Sequence, residues 1–129
     1  MIERRKYNRI DVNLNGAAFF AKNEYIIEVK NISEEGIGFS VPKGEFSNKP
    51  LFDKDDILEL HFYDPFGSFM FDNSHIQICR INIEQVQYKD EKNIYFGCTV
   101  ISPKEKFFIY VIKRKNNIFH NIVRKKKDF

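Results

Sequence analysis

The chain has 129 residues, 43% of them apolar, which is one domain's worth of protein with enough apolar matter for a single core. Its net charge of +3 is unevenly spread: residues 10–112 carry 16 acidic and ten basic side chains, a net −6, between two basic ends. An acidic body excludes broad coating of nucleic acid, and no uncharged apolar run is long enough to span a bilayer.

The charged N-terminus is unlike a signal peptide, so a soluble cytoplasmic protein is expected. Fourteen Phe, six Tyr and many Ile, with no Trp, favour pleated, half-buried surfaces and therefore strands. In chain order, residues 1–12 are polar and basic and read as an arm, leaving 13–129 as the domain proper. Gly16–Ala21 is a short apolar strand. Tyr25–Lys30 alternates, with Ile27 and Val29 opposed to Glu28 and Lys30. Asn31–Gly36 is rich in turn residues, and Ile37, Phe39 and Val41 then mark the next strand.

Pro42–Asp55 has little periodicity and reads as a loop. Ile57–Tyr63 alternates again and stops at a turn signal, Asp64-Pro65-Phe66-Gly67. His75–Tyr88 is a long strand whose apolar residues change parity, which predicts a bulge in its middle. Asn93–Ile101 follows a charged turn. From Pro103 onwards the period becomes helical, with Phe107, Phe108, Val111, Ile112, Phe119, Ile122 and Val123 between Lys and Arg. Asn116-Asn117 is expected to weaken or interrupt that helix. The sum is a mainly β chain: about six or seven antiparallel strands in a small barrel or sandwich, closed by a C-terminal helix and preceded by a flexible arm.

Cys79 and Cys98 lack metal-ligand spacing. A hairpin turning near Asp90 puts Cys98 opposite Ile83, which leaves Cys79 roughly 13 Å further along the strand, beyond disulfide reach. Both read as small buried apolar side chains in a reducing compartment. His61, His75 and His120 share no ligand spacing, and the Asp53, Asp55, Asp56 run lacks the glycine and closing glutamate of a calcium loop. No nucleophile–base set or phosphate loop can be assembled, so no metal, no cofactor and no enzyme are expected. The basic tail Arg124–Lys127 suits a helix C-terminus, with docking to an acidic surface as its alternative use.

Two polar motifs remain. Arg5 and Arg9, spaced Arg-x-x-x-Arg, can bring two guanidiniums onto one anionic ligand, each able to fork phosphate oxygens or stack on a base. Asn31-x-Ser33-x-x-Gly36 joins two short hydrogen-bonding side chains to a residue with no side chain. Strand parity turns Gly36, Gly38 and Ser40 away from Ile37, Phe39 and Val41, giving a flat outer patch. The same parity turns Asn31 and Ser33 inward with Ile27 and Val29, unless the strand ends at the barrel rim or a bulge reverses the facing.

An Arg-x-x-x-Arg arm followed some twenty residues later by (Asp/Asn)-x-Ser-x-x-Gly in a β-rich chain resembles the PilZ family. Arg4 fits as the basic residue that often precedes the first motif arginine, and Gly97 as a glycine on a late strand beside the site. The resemblance implies binding of cyclic di-GMP without catalysis. Arg5 and Arg9 would take phosphates and guanine faces, Asn31 and Ser33 a base edge or phosphate, and Gly36 and Gly38 close approach. Arg4 would admit a second, stacked ligand molecule, and a downstream protein partner would read the bound state. Two other uses of the fold are a protein-interaction module independent of the ligand and a small single-strand nucleic-acid binder, against which the acidic body counts.

Overall fold

A computed structural model describes residues 7–65 and 75–127. Six strands close an antiparallel barrel: β1 Ile10–Phe20, β2 Asn23–Ile32, β3 Gly36–Pro42, β4 Ile57–Tyr63, β5 Ile76–Lys89 and β6 Asn93–Ser102. Around the barrel they run β1-β2-β3-β6-β5-β4, and one helix, α1, follows over Lys104–Lys127. The mainly β, barrel-plus-helix reading of the sequence is borne out.

Period-2 alternation builds the core. Leu14, Ile27, Val29, Phe39, Leu58, Leu60, Ile81, Phe96 and Val100 all point inward and are buried. The first strand begins inside the segment read as an arm. Ile10 pairs with Ile32, and Val12 and Leu14 are buried between polar neighbours. The polar, basic composition of residues 1–12 is what made the start of this half-buried strand read as an arm.

The two ends of the barrel are closed differently. At one end the loop expected over Pro42–Asp55 turns inward. Its Phe52 is buried against Tyr25, Phe46 and Phe96, with ring centroids 4.6, 5.2 and 5.2 Å away. Fully burying one such ring contributes about 1.5–3 kcal/mol, enough to hold an aperiodic loop in place. At the other end α1 lays Phe107, Tyr110 and Val111 on the barrel, a helical i, i+3, i+4 face. Of the helix residues expected to be apolar contacts, Phe108 is half-buried and Ile112 is exposed.

A buried carboxylate fixes this helix. Asp64, just past β4, accepts from the Tyr110 hydroxyl at 2.5 Å and from Arg114 Nε at 2.9 Å. Burial, then the bond to Asp64, pushes the Tyr110 hydroxyl far above its usual range. The rest of the turn expected at 64–67 lies outside the described residues. Contrary to expectation, α1 runs unbroken through Asn116-Asn117. Asn costs a helix only about 0.7 kcal/mol per residue, too little to stop one in mid-course.

The β5–β6 hairpin has the expected register, with Ile83 opposite Cys98. It carries three register shifts, at Arg80/Ile81, Ile83/Gln85 and Val86/Tyr88, where the sequence predicted one bulge. Both cysteines are buried thiols.

Candidate functional site

The site lies towards the helix-capped end, where β1 and β3 begin and β2 and β6 end. Its floor is one row of residues across the barrel wall. Asp11 pairs with Asn31, Asn31 with Gly38, Gly38 with Gly97, and Gly97 with Gln85. Two facing glycines on adjacent strands leave bare backbone, the arrangement that lets a flat group approach a sheet.

The facing of Asn31 is decided by a bulge. The β2–β3 register shifts between Val29 and Asn31, so Val29 and Ile32 are both buried while Asn31 between them lies on the outer surface. Simple parity had turned Asn31 inward; one extra residue reverses it. The patch is also less bare than expected. A Cβ on Gly38 would stand 2.6 Å from Asn31 Oδ1 and 2.7 Å from its Nδ2, so the Asn31 amide lies across this glycine. Likewise a Cβ on Gly97 would come within 2.9 Å of Gln87 Nε2. Ser40, further along β3, is buried.

Ser33 and Gly36 close a two-residue turn through reciprocal backbone bonds, Ser33 N–H to Gly36 O at 2.9 Å and Gly36 N–H to Ser33 O at 3.4 Å. None of the described glycines has a positive φ. Gly36 is needed for space instead, because a Cβ there would sit 3.0 Å from the carbonyl oxygen of Cys98. Ser33 is buried beside it.

Arg9 joins the motifs. Its Nη1 donates to Asn31 Oδ1 at 3.2 Å, across 22 residues of sequence. The chain just before it leans on α1. Tyr7 meets Phe108 edge-on at 5.9 Å, and Lys115 Nζ donates to Asn8 O at 2.9 Å while pairing with the Glu34 carboxylate. Helix, arm root and motif turn therefore share one lysine. Arg4 and Arg5 lie outside the described residues.

Between these parts is an open cavity of about 180 Å³, lined by Tyr7, Arg9, Ser33, Gly36, Gly97 and Thr99 together with the carboxylates Glu35 and Glu84. Ligand pockets for drug-sized molecules run from about 300 Å³ upwards, so this one suits a single ring system rather than a whole dinucleotide. Cys98 contributes backbone only: its thiol donates inward to Ile37 O at 3.0 Å, and burial pushes its pKa well up. Of the sequence candidates, Arg9, Asn31, Ser33, Gly36, Gly38 and Gly97 come together here. Tyr7, Glu35, Glu84, Thr99 and Lys115 are neighbours that the sequence did not reveal. The β5–β6 register was the available signal for Glu84 and Thr99, since it was set by the hairpin turn. Among the described residues no group of three or more His, Cys, Asp or Glu could hold a metal ion.

The family model for the PilZ domain matches residues 3–106. The chain belongs to the PilZ family. Solved PilZ-type structures share its fold. The PilZ domain of YcgR from Escherichia coli, solved with c-di-GMP, is 11% identical, with 98% of each chain covered and a TM-score of 0.66. The inhibitor of motility MotI/DgrA of Bacillus subtilis is 18% identical over 90% of this chain and 53% of its own, with a TM-score of 0.61. The K. pneumonia MrkH–c-di-GMP complex is 12% identical over 96% and 56%, with a TM-score of 0.65. The chain thus spans about half the length of MotI and MrkH. No curated protein matches it by sequence. No helix among the described residues is long and apolar enough to cross a membrane.

Proposed function

We propose that this PilZ chain is a cytoplasmic receptor for cyclic di-GMP that binds the dinucleotide without chemically changing it and passes the bound state to a protein partner. The observation that carries this reading is the Arg9–Asn31 bond beside the paired glycines Gly38 and Gly97. A cyclic dinucleotide presents two phosphates and two flat purines. It needs cations, a plane to lie against and a few short hydrogen-bonding groups. Arg9 with Arg4 and Arg5 supplies the cations, the glycine row the plane, and Asn31 and Ser33 the polar groups. The c-di-GMP complexes of YcgR and MrkH, which share the fold, support the choice of ligand.

In this reading residues 1–9 close over the ligand, and the barrel with α1 is the single domain that receives it. Binding draws Arg9 from Asn31 to phosphate, and the same movement pulls on the arm root at Asn8. Lys115 links that root to α1, so the helix is the element through which a partner senses the ligand. Isothermal titration of the full chain with cyclic di-GMP tests the proposal. Saturable heat at micromolar ligand is expected, with affinity reduced at least about 100-fold in Arg5→Ala and Arg9→Ala, as loss of two or more charge-assisted bonds requires. No heat, or unchanged affinity in both variants, overturns it.

A further inference from the structure

We infer that Glu84 reads the Watson–Crick edge of a bound guanine and makes the site selective for guanine over adenine dinucleotides. This inference rests on the receptor reading above and extends it to base specificity. Its starting point is a charge that does not suit phosphate. A site expected to receive phosphate beside Arg9 has two carboxylates, Glu35 and Glu84, in the lining of its cavity. Near a phosphate Glu84 would repel, so its place in the site calls for a ligand group made of donors.

Guanine has such a group. Its N1–H and exocyclic 2-amino group stand side by side and point the same way, matching the two oxygens of a carboxylate. Adenine offers a lone pair at N1 beside its 6-amino group, so a carboxylate in the same place meets an acceptor with an acceptor. The distinction follows because an acceptor set against an acceptor is penalised as well as unrewarded.

Glu84 is held where this contact requires it. The β5–β6 register shifts between Ile83 and Gln85, so Glu84 is the extra residue of a bulge, and Glu84 and Gln85 are both exposed on the outer wall. Without the bulge, alternation from Ile83 would have turned one of the two into the core. Bulges of this kind re-aim side chains beside binding sites. The carboxylate is then steadied: Thr99 Oγ1 donates to Glu84 Oε1 at 2.8 Å, and Asn82 Nδ2 lies 3.5 Å from the same oxygen. Thr99 in turn pairs with Gly36 of the motif turn, and Gln85 pairs with Gly97 of the floor. A base lying over Gly97 would present its edge towards this carboxylate. Glu35 differs: it sits at the tip of the Ser33–Gly36 turn, its carbonyl bound by Val100 N–H, and is not placed by a bulge.

The test is titration of the full chain, wild type and Glu84→Gln, with cyclic di-GMP, cyclic di-IMP and cyclic di-AMP. Hypoxanthine lacks the 2-amino group, so wild type should bind cyclic di-IMP more weakly than cyclic di-GMP and cyclic di-AMP hardly at all. Glu84→Gln should weaken cyclic di-GMP about tenfold or more, the effect of losing a charged hydrogen bond, and nearly erase the difference between the guanine and hypoxanthine ligands. Thr99→Val, which leaves the carboxylate but removes its support, should give a smaller loss in the same direction. An unchanged thermal midpoint checks that each variant is folded.

Affinity of Glu84→Gln within twofold of wild type, or tighter, overturns the inference while leaving the receptor reading standing. So does an equal loss for cyclic di-GMP and cyclic di-IMP. Absence of binding by wild type removes both readings together.

Discussion

The two sides of the site are built on different physics. The floor is sheet: Asn31, Gly38, Gly97 and Gln85 sit in strands whose backbone groups are bonded to their neighbours, over a core of buried aromatics. The opposing side is made of side-chain contacts between distant segments, Arg9 to Asn31, Lys115 to Asn8 and Glu34, and Tyr7 to Phe108. Such contacts are worth little singly and exchange readily. The difference teaches where the protein is fixed and where a ligand can rearrange it. On the receptor reading proposed above, the floor would set the shape of the ligand, and the arm root and helix would respond to it.

The largest effect is expected where the responsive side is anchored. Asp64→Ala leaves the Tyr110 hydroxyl and the Arg114 guanidinium without their shared acceptor in a buried place. Breaking a pair of this kind costs about 3–5 kcal/mol, read as a lowered urea midpoint. If the midpoint holds, α1 is not anchored there and the comparison between floor and helix loses its basis.

Two glycines sharpen the comparison within the barrel itself. A Cβ at Gly16 would meet the backbone oxygen of His61 at 2.4 Å, so Gly16→Ala must move a strand, at a cost of about 1–3 kcal/mol in unfolding free energy. Cyclic di-GMP affinity of the folded protein should be little changed. The three atoms nearest a Cβ at Gly38 would all belong to the Asn31 side-chain amide, not to backbone. Gly38→Ala should therefore lower stability by less than about 1 kcal/mol, yet weaken the dinucleotide at least tenfold by displacing Asn31. Unfolding curves and titrations of the two variants should give opposite patterns.

Lys115→Ala should cost about 1 kcal/mol of stability, since a part-buried ion pair with Glu34 and one bond to a carbonyl are what it removes. Its readout is the arm: amide exchange at residues 8–10 should quicken in the unliganded protein. The last effect is confined to high pH. Burial pushes the Cys79 thiol from 9.0 up to about 12 and the Cys98 thiol well up too. Each folded value is raised, so their contribution is intact below pH 9.0 and is lost as pH rises through about 12. Thermal midpoints measured from pH 8 to 10.5 should fall less in Cys79→Val than in wild type, and neither native thiol should react with a disulfide reagent at pH 8.

Much of this molecule is legible in one dimension. Alternation found five of the strands closely, the change of period found the helix, and the hairpin turning at Asp90 gave the Ile83–Cys98 pairing. At Ile10–Leu14, which begins inside the segment read as an arm, the first half of β1 was missed, and only Gly16–Ala21 was read as strand. The loop holding Phe52 was seen as a loop, but nothing in its spacing says that a single ring will close the barrel. Asp64 looked like a turn residue because a buried acid is recognisable only by the partners that the helix brings to it, 46 and 50 residues later.

The sequence by itself determined the residue types of the motifs, their order and the β-rich setting that carries them, because these are properties of composition and spacing. Tertiary structure alone decided that Asn31 faces outward, that Gly38 lies opposite Gly97, and that Glu84 reaches the cavity. Each depends on register between strands far apart in the chain, and two of the three on a bulge. A bulge is one residue of slack taken up to satisfy a neighbouring strand. A strand read alone contains no record of that neighbour.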